Sequence, residues 1–393
     1  MMRPLVSVII PTHGRPECAV STIRAVLAAS NELEVVVSDT SDEDRITPAF
    51  AGLDIARLKL LRPGEPLSVV DNFNFALSHA RGEYLAFIGD DDLISPQIAE
   101  IAHWGVANEV DAFSFSFPML YYWPTFASTT RWKAEGSTLV VSDFDGRLTP
   151  FDAKAELAAA LRNMGSGVLG MPRAYAGMIS RRLVERIQAA HGPLFGGVSP
   201  DIYSAALISM ESQKSYRVDF PIVVPGACAG STSGKSARGR HVGGLRDNAH
   251  IGAFKNLVWD DRVPEYYSVP TVWGYSLLKG VEDKPQWLRK ADFSMLYLRC
   301  LISDPQYKDM VIGCLKQHAR ENGYMATAIE FAGATAREAR RIGRTLVQRQ
   351  LNRFKRDNTV VLHGVLDTEQ AFQVASQYIR KFGKKLELTK SGS

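Results

Sequence analysis

Three consecutive aspartates, Asp90, Asp91 and Asp92, close a run that reads GEYLAFIGDDDLISP from Gly82 to Pro96. Carboxylates that near one another repel and raise each other's pKa, so the cluster calls for a partner. A divalent cation supplies one, and hard oxygen ligands select Mg²⁺ or Mn²⁺. A purely local reading competes with this: Asp92 or Ser95 caps the following helix, and acids near a helix start suit its dipole.

The surrounding pattern says what must position these carboxylates. Leu5–Ile10 is a short β-branched run closed by Pro11, and Glu17–Ala29 reads as a helix. Leu33–Val37 and Arg57–Leu61 read as strands, Ser68–Ala80 as a helix, Tyr84–Ile88 as a strand and Pro96–Val106 as a helix. Ala112–Phe117 alternates with period two. Strands separated by helices imply a parallel α/β sheet that binds ligands at the carboxyl ends of its strands. Pro11, Thr12, His13 and Arg15 follow the first strand, where a nucleotide base would lie. Asp39 ends the second, placed to accept hydrogen bonds from a base or ribose. Asp71 and Asn72 begin the helix that leads into the aspartate strand, with Asn72 a candidate nucleotide-sugar contact and a simple helix cap as the alternative. Met119–Pro150 reads as aromatic and irregular. Later helices are expected at Phe151–Arg162, Arg181–Ala190 and Pro200–Met210, with strands at Tyr175–Ser180 and Arg217–Val224.

In order and spacing, VSVIIPTHGRPE, EVVVSDTSD, DNFNFALSHARGEYLAF and the aspartate run resemble the inverting nucleotide-sugar glycosyltransferases of family 2. The likeness covers residues 4–224. It implies the GT-A fold, a Rossmann-like mixed α/β sheet, here followed by a mainly helical C-terminal domain. It also implies that Thr12, His13, Arg15 and Asp39 hold the nucleotide, that Asp91 binds Mn²⁺ or Mg²⁺, and that Asp90 and Asp92 support the ribose or the metal shell. The family's strand usually ends Asp-x-Asp-Asp; here the first of those positions is Gly89. The family's base often stands as Glu-Asp at a helix start, and the matching stretch, FGGVSPDIYSAAL, offers Asp201 after Pro200. Gly196 and Gly197 would let the backbone approach a sugar, and Tyr121, Tyr122 and Trp123 could stack on one, burial in the core being the alternative. The implied reaction transfers one sugar, with a UDP-sugar as the expected donor, to a glycan, lipid-linked or protein acceptor. The Gln-x-x-Arg-Trp signature of processive synthases is missing. The Gly89 departure and the absent Glu keep a non-catalytic, nucleotide-sugar-binding relative as the rival.

Ala229–Ser236 (AGSTSGKS) imitates a P-loop, but Gly239, Gly243 and Gly244 argue against the helix that a P-loop requires. Lys235 and Arg240 are more naturally a basic cover for a donor diphosphate, and the resemblance makes His241 a candidate last metal ligand. Arg337–Arg356 carries eight basic residues and one acid, with apolar residues broadly on one side of a helix. It could lie on an anionic membrane or pack as an ordinary surface helix.

Length and charge set the frame. The 393 residues suggest two domains, divided as residues 1–225, a Gly/Ser-rich loop 226–245, and 246–393. The net charge of +4 hides an uneven split: residues 1–224 hold 19 basic and 26 acidic side chains, residues 225–393 hold 27 and 16. That asymmetry separates a carboxylate-bearing half from a basic one, and nucleic acid is not implied. Four scattered cysteines suggest reduced thiols. No run reaches the ~18 apolar residues of a membrane span, so a cytoplasmic protein, peripheral on the membrane at most, is expected.

Overall fold

The computed structural model describes residues 3–53, 55–127, 135–230, 242–252, 254, 257–354 and 358–388. Its centre is an eight-stranded sheet. The elements run β1 (Val6–Thr12), α1 (Pro16–Ala29), β2 (Leu33–Asp39), β3 (Leu58–Leu61), α2 (Val69–His79), β4 (Tyr84–Phe87), β5 (Leu93–Ile94), α3 (Gln97–Ala107), β6 (Ala112–Phe115), β7 (Met119–Tyr122), β8 (Thr138–Val141), β9 (Leu148–Phe151), α4 (Ala153–Arg162), β10 (Gly177–Ser180), α5 (Arg181–His191), α6 (Pro200–Glu211) and β11 (Ser215–Val218). In space the order is β3-β2-β1-β4-β10-β6-β11-β9. β1 is parallel to β2 and β4, whereas β10 enters antiparallel between β4 and β6.

The apolar runs explain this arrangement. Every residue of β2 and β4 is buried, and all but Pro11 in β1, as befits strands covered on both faces. One core lies between the sheet and α1 and α3, the other between the sheet and α2, α5 and α6. The β1–β2 register sets Thr12 opposite Asp39, so the strand ends expected to carry chemistry reach one rim together.

Met119–Pro150 is not irregular where it is described. β7, β8 and the start of β9 lie within it. β7 and β8 pair with each other, and their outer partners are remote in sequence: β13 (Gly226–Ala227), which follows β12 (Val223–Val224), pairs with β7, and β14 (Val360–His363) pairs with β8. Four-residue strands completed from such distances leave no local period to read. The expected strand Arg217–Val224 likewise divides into β11 and β12 around a break at 219–222.

After residue 242 the main elements are helices α7 (Val269–Val281), α8 (Phe293–Ser303), α9 (Lys308–Asn322) and α10 (Tyr324–Phe354), then β14 and α11 (Thr368–Lys381). α7 packs on α6, and α11 returns to α1, placing Ala371 and Ala375 in the sheet's first core. No described helix is long and apolar enough to cross a membrane.

Candidate functional site

The three aspartates occupy the turn between β4 and β5, and all are buried. The Thr22 hydroxyl donates to the backbone carbonyls of Asp90 and Asp92, and the Trp123 indole N–H donates to that of Asp91 at 2.9 Å. The carboxylates diverge. Asp90 pairs with Arg15 at 2.8 Å and accepts from the Thr12 hydroxyl at 2.5 Å. Asp91 lies 3.5 Å from the same guanidinium and accepts the Cys228 N–H at 3.2 Å. Asp92 accepts the N–H groups of Gly89 at 2.7 Å and Gly226 at 2.8 Å, together with the Tyr175 hydroxyl.

One guanidinium therefore faces three buried carboxylates. Burial pushes Asp90 up to about 6 even though Arg15 and Thr12 pull the other way. Burial and then the Asp92 charge drive Asp91 well above the usual carboxylate range, and burial raises Asp92 despite its three donors. The rim carries more negative charge than its own side chains neutralise.

Two glycines make this packing possible. A β-carbon on Gly226 would fall 1.7 Å from the Asp91 carbonyl oxygen, so the backbone at the base of the aspartate turn admits only glycine there. A β-carbon on Gly89 would meet the Tyr175 hydroxyl at 2.8 Å. That hydroxyl enters from the segment before β10, where Tyr175 bridges to Phe87.

The cysteines are scattered only in sequence. Cys18 and Cys228 share a thiol–thiol hydrogen bond next to Arg15, whose Nη1 is 3.7 Å from the Cys228 sulfur. The hydrogen bond with Cys18 and the nearby guanidinium lower the Cys228 thiol below its ordinary value, and the same bond pushes Cys18 up. Neither Tyr175 nor Cys228 carries a local sequence signal. Each reaches the aspartates from more than 80 residues away in the chain.

Thr12 and Arg15, expected at a nucleotide base, are thus turned onto Asp90. Pro11 lies in β1 opposite Ser38, and His13 is exposed, its Nδ1 3.0 Å from the Thr40 carbonyl oxygen. Asp39 accepts from Ser41 and from Arg62 at 2.8 Å. Asn72 is buried and exchanges hydrogen bonds with Ser38, tying α2 to β2, while Ser68 caps α2. Lys235, Arg240 and His241 lie outside the described residues.

Asp201 stands in the first turn of α6, accepting from Ser199 at 2.5 Å. Its loop is tightly anchored. Asn74 bonds both backbone groups of Phe195, and the Ser276 hydroxyl of α7 accepts the N–H groups of Val198 and Ser199. Gly196 and Gly197 sit close against protein side chains. A β-carbon at 196 would strike the Tyr203 ring at 2.7 Å, and Gly197, at φ +63°, abuts Ser276. Arg173 feels the Asp201 carboxylate, and two residues on, Tyr175 binds Asp92. One short segment thereby bonds one acidic centre and lies within electrostatic reach of the other. Tyr121 and Trp123 are buried, so their rings pack in the core; Tyr122 is half-buried against Phe126.

Parallel strands whose ends gather carboxylates, closed by an antiparallel β10 and a second small sheet, define a GT-A glycosyltransferase domain. Residues 7–123 match the model of glycosyl transferase family 2, so that part of the chain is a glycosyltransferase domain of that kind. The comparable solved structures include S. aureus TarS 1–349 in complex with UDP-GlcNAc, 15% identical with a TM-score of 0.47, covering 82% of this chain and 92% of that one. A second is the Pyrobaculum calidifontis mannosyltransferase PcManGT in complex with GDP-Man and Mn²⁺, 18% identical with a TM-score of 0.43, covering 98% and 89%. No curated protein matches the sequence.

Proposed function

We propose that the chain is a metal-dependent, inverting glycosyltransferase that moves a single sugar from a nucleotide-diphosphate sugar, a UDP-sugar first among the candidates, to an acceptor hydroxyl. The observation that carries this reading is the uncompensated carboxylate group at the rim of β1 and β4: three buried aspartates against Arg15. The catalytic unit is residues 1–225, with 226–245 as the candidate donor cover and 246–393 as a helical companion.

The residues present fit a divalent cation. Among the described residues no three acidic, histidine or cysteine side chains converge into a ready cage. Mg²⁺ and its analogues, however, are commonly held by one or two carboxylates plus substrate phosphates. Asp91 is the carboxylate best suited, since Asp92 is committed to Gly89, Gly226 and Tyr175. The cation supplies charge neutralisation to the departing diphosphate. Arg15 adds a fixed positive charge beside it. Asp201 takes the proton of the acceptor hydroxyl as its oxygen attacks the anomeric carbon from the face opposite the diphosphate. Arg173 keeps a positive charge near that base.

A thermal-shift titration of nucleotides with and without Mn²⁺ tests the reading, because ligand binding raises stability by mass action. A uridine-nucleotide shift that needs Mn²⁺ and disappears in Asp91→Asn supports it. An equal shift with and without metal rejects metal dependence.

A further inference from the structure

The outer face of α10 carries a repeat that the transferase reading does not use. The helix is seated on α8 and α9 through Thr327, Phe331, Ala334 and Glu338, which are buried or half-buried. On the opposite side, Met325, Ile329, Ala332 and Ala336, and then Ala339, Gly343 and Leu346, follow one another at alternating steps of four and three, and all are exposed. Met325 is 76% exposed, Ile329 67%, and Leu346 55%. Alternate steps of four and three form the a/d seam of a coiled coil, a pattern whose partner is another helix.

Charge follows the same division. From 325 to 347 the seam and the positions flanking it hold one charged residue, Arg340. The other charges lie to the sides or beneath, and all but Arg344 are paired within the chain: Glu330 with His318, Arg337 with Asp292, and Glu338 with Arg299 and Arg341. The arginines expected to face a bilayer are thus partly spent inside the protein. The middle of the seam is Ala, Ala, Ala and Gly, which offers a bilayer little apolar area but lets a second helix backbone come close.

We propose that this face pairs with the same face of a second copy of the chain, antiparallel and about a two-fold axis. The seam is self-complementary in that arrangement. Ile329 meets Leu346 of the second copy, Ala332 meets Gly343, and Ala336 meets Ala339, so each layer joins residues of like size. Arg340 falls beside Gly333 and meets no like charge, and the two helix dipoles oppose. The pairing is independent of the donor site.

Sedimentation velocity of the full chain from submicromolar to tens of micromolar tests the proposal. The wild type should form a dimer, and the Ala336→Glu/Ala339→Glu double variant should dimerise at least about 100-fold more weakly. Both substituted positions are exposed and glutamate suits a helix, and an unchanged melting temperature of the dilute monomer confirms that the variant folds. Mixing Ile329→Cys with Leu346→Cys should give a cross-linked dimer under oxidation, while Ile329→Cys alone should not. A wild type that stays monomeric throughout, or a double variant that dimerises as well as the wild type, overturns the proposal. So does a monomeric wild type that binds phosphatidylserine vesicles and loses that binding in the double variant, which assigns the face to lipid. Cross-linking of Ile329→Cys alone overturns the antiparallel arrangement.

Discussion

The Tyr175 hydroxyl occupies the space that a side chain on Gly89 would need: a β-carbon built there lies 2.8 Å from it. The same β-carbon would lie 3.0 Å from Asp91 Oδ1 and 3.1 Å from Asp92 Oδ2. The glycine that departs from the family's acidic pattern is therefore matched by a hydroxyl from another part of the chain, which hydrogen-bonds Asp92. Burial and the nearby carboxylates hold the Tyr175 hydroxyl well above its ordinary pKa, so it remains an O–H donor.

This pairing predicts a coupling. Gly89→Ala overpacks the turn and should cost about 1–3 kcal/mol in urea unfolding. Tyr175→Phe strips a donor from a buried carboxylate, also at about 1–3 kcal/mol. Because Phe removes the nearest obstructing atom, Gly89→Ala should cost at least about 1 kcal/mol less in the Tyr175→Phe background. Strictly additive losses would show that the two positions do not compete for this space.

Metal-free stability should fall as pH rises. The folded chain holds a proton on Asp90 up to about 6, above the 3.8 of a free aspartate. The folded state thus binds more protons than the unfolded one. Stability from the neutral carboxyl is fully present below about pH 4 and lost as pH climbs through about 6, a loss on the order of 3 kcal/mol. Asp91 and Asp92 are raised too and extend the loss upward. Denaturant midpoints at pH 5 and 7.5 check this, and Asp91→Asn should stabilise the metal-free protein at the higher pH. A midpoint that rises with pH would contradict the charge balance described at the rim.

The two acidic centres should separate kinetically. Asp201→Asn is expected to lower kcat by about 10²–10⁴-fold while leaving the Mn²⁺-dependent nucleotide shift intact. Asp91→Asn should abolish that shift. If Asp201→Asn turns over within a few-fold of wild type on every acceptor tried, another residue is the base.

The loop that carries Asp201 depends on Ser276, which accepts two of its backbone N–H groups at 3.2 and 2.9 Å. Ser276→Ala strands both donors in a buried site and should cost about 1–3 kcal/mol. Because the loop positions the proposed base, kcat should fall more than KM rises. A stability loss with unchanged kcat would leave Ser276 a purely structural anchor.

Much of this architecture was legible in one dimension. Runs such as VSVII and YLAFI must be buried on both faces, and the helical spacing between them forces parallel pairing. The α/β class, the strand ends at Thr12 and Asp39, the aspartates just beyond the fourth strand, and Asp201 at a helix start follow from period and local chemistry alone. What the tertiary structure decided is which atoms face which. Tyr175, Gly226 and Cys228 reach the aspartates from segments with no periodic mark, because a contact across a sheet leaves no trace in local spacing. Arg15 and Thr12 were legible as rim residues, but their engagement with Asp90 depends on β1 and β4 lying side by side. Gly196 and Gly197 show the same limit: their type allows a close approach, and only the fold determines that Tyr203 and Ser276 lie where side chains at those positions would go.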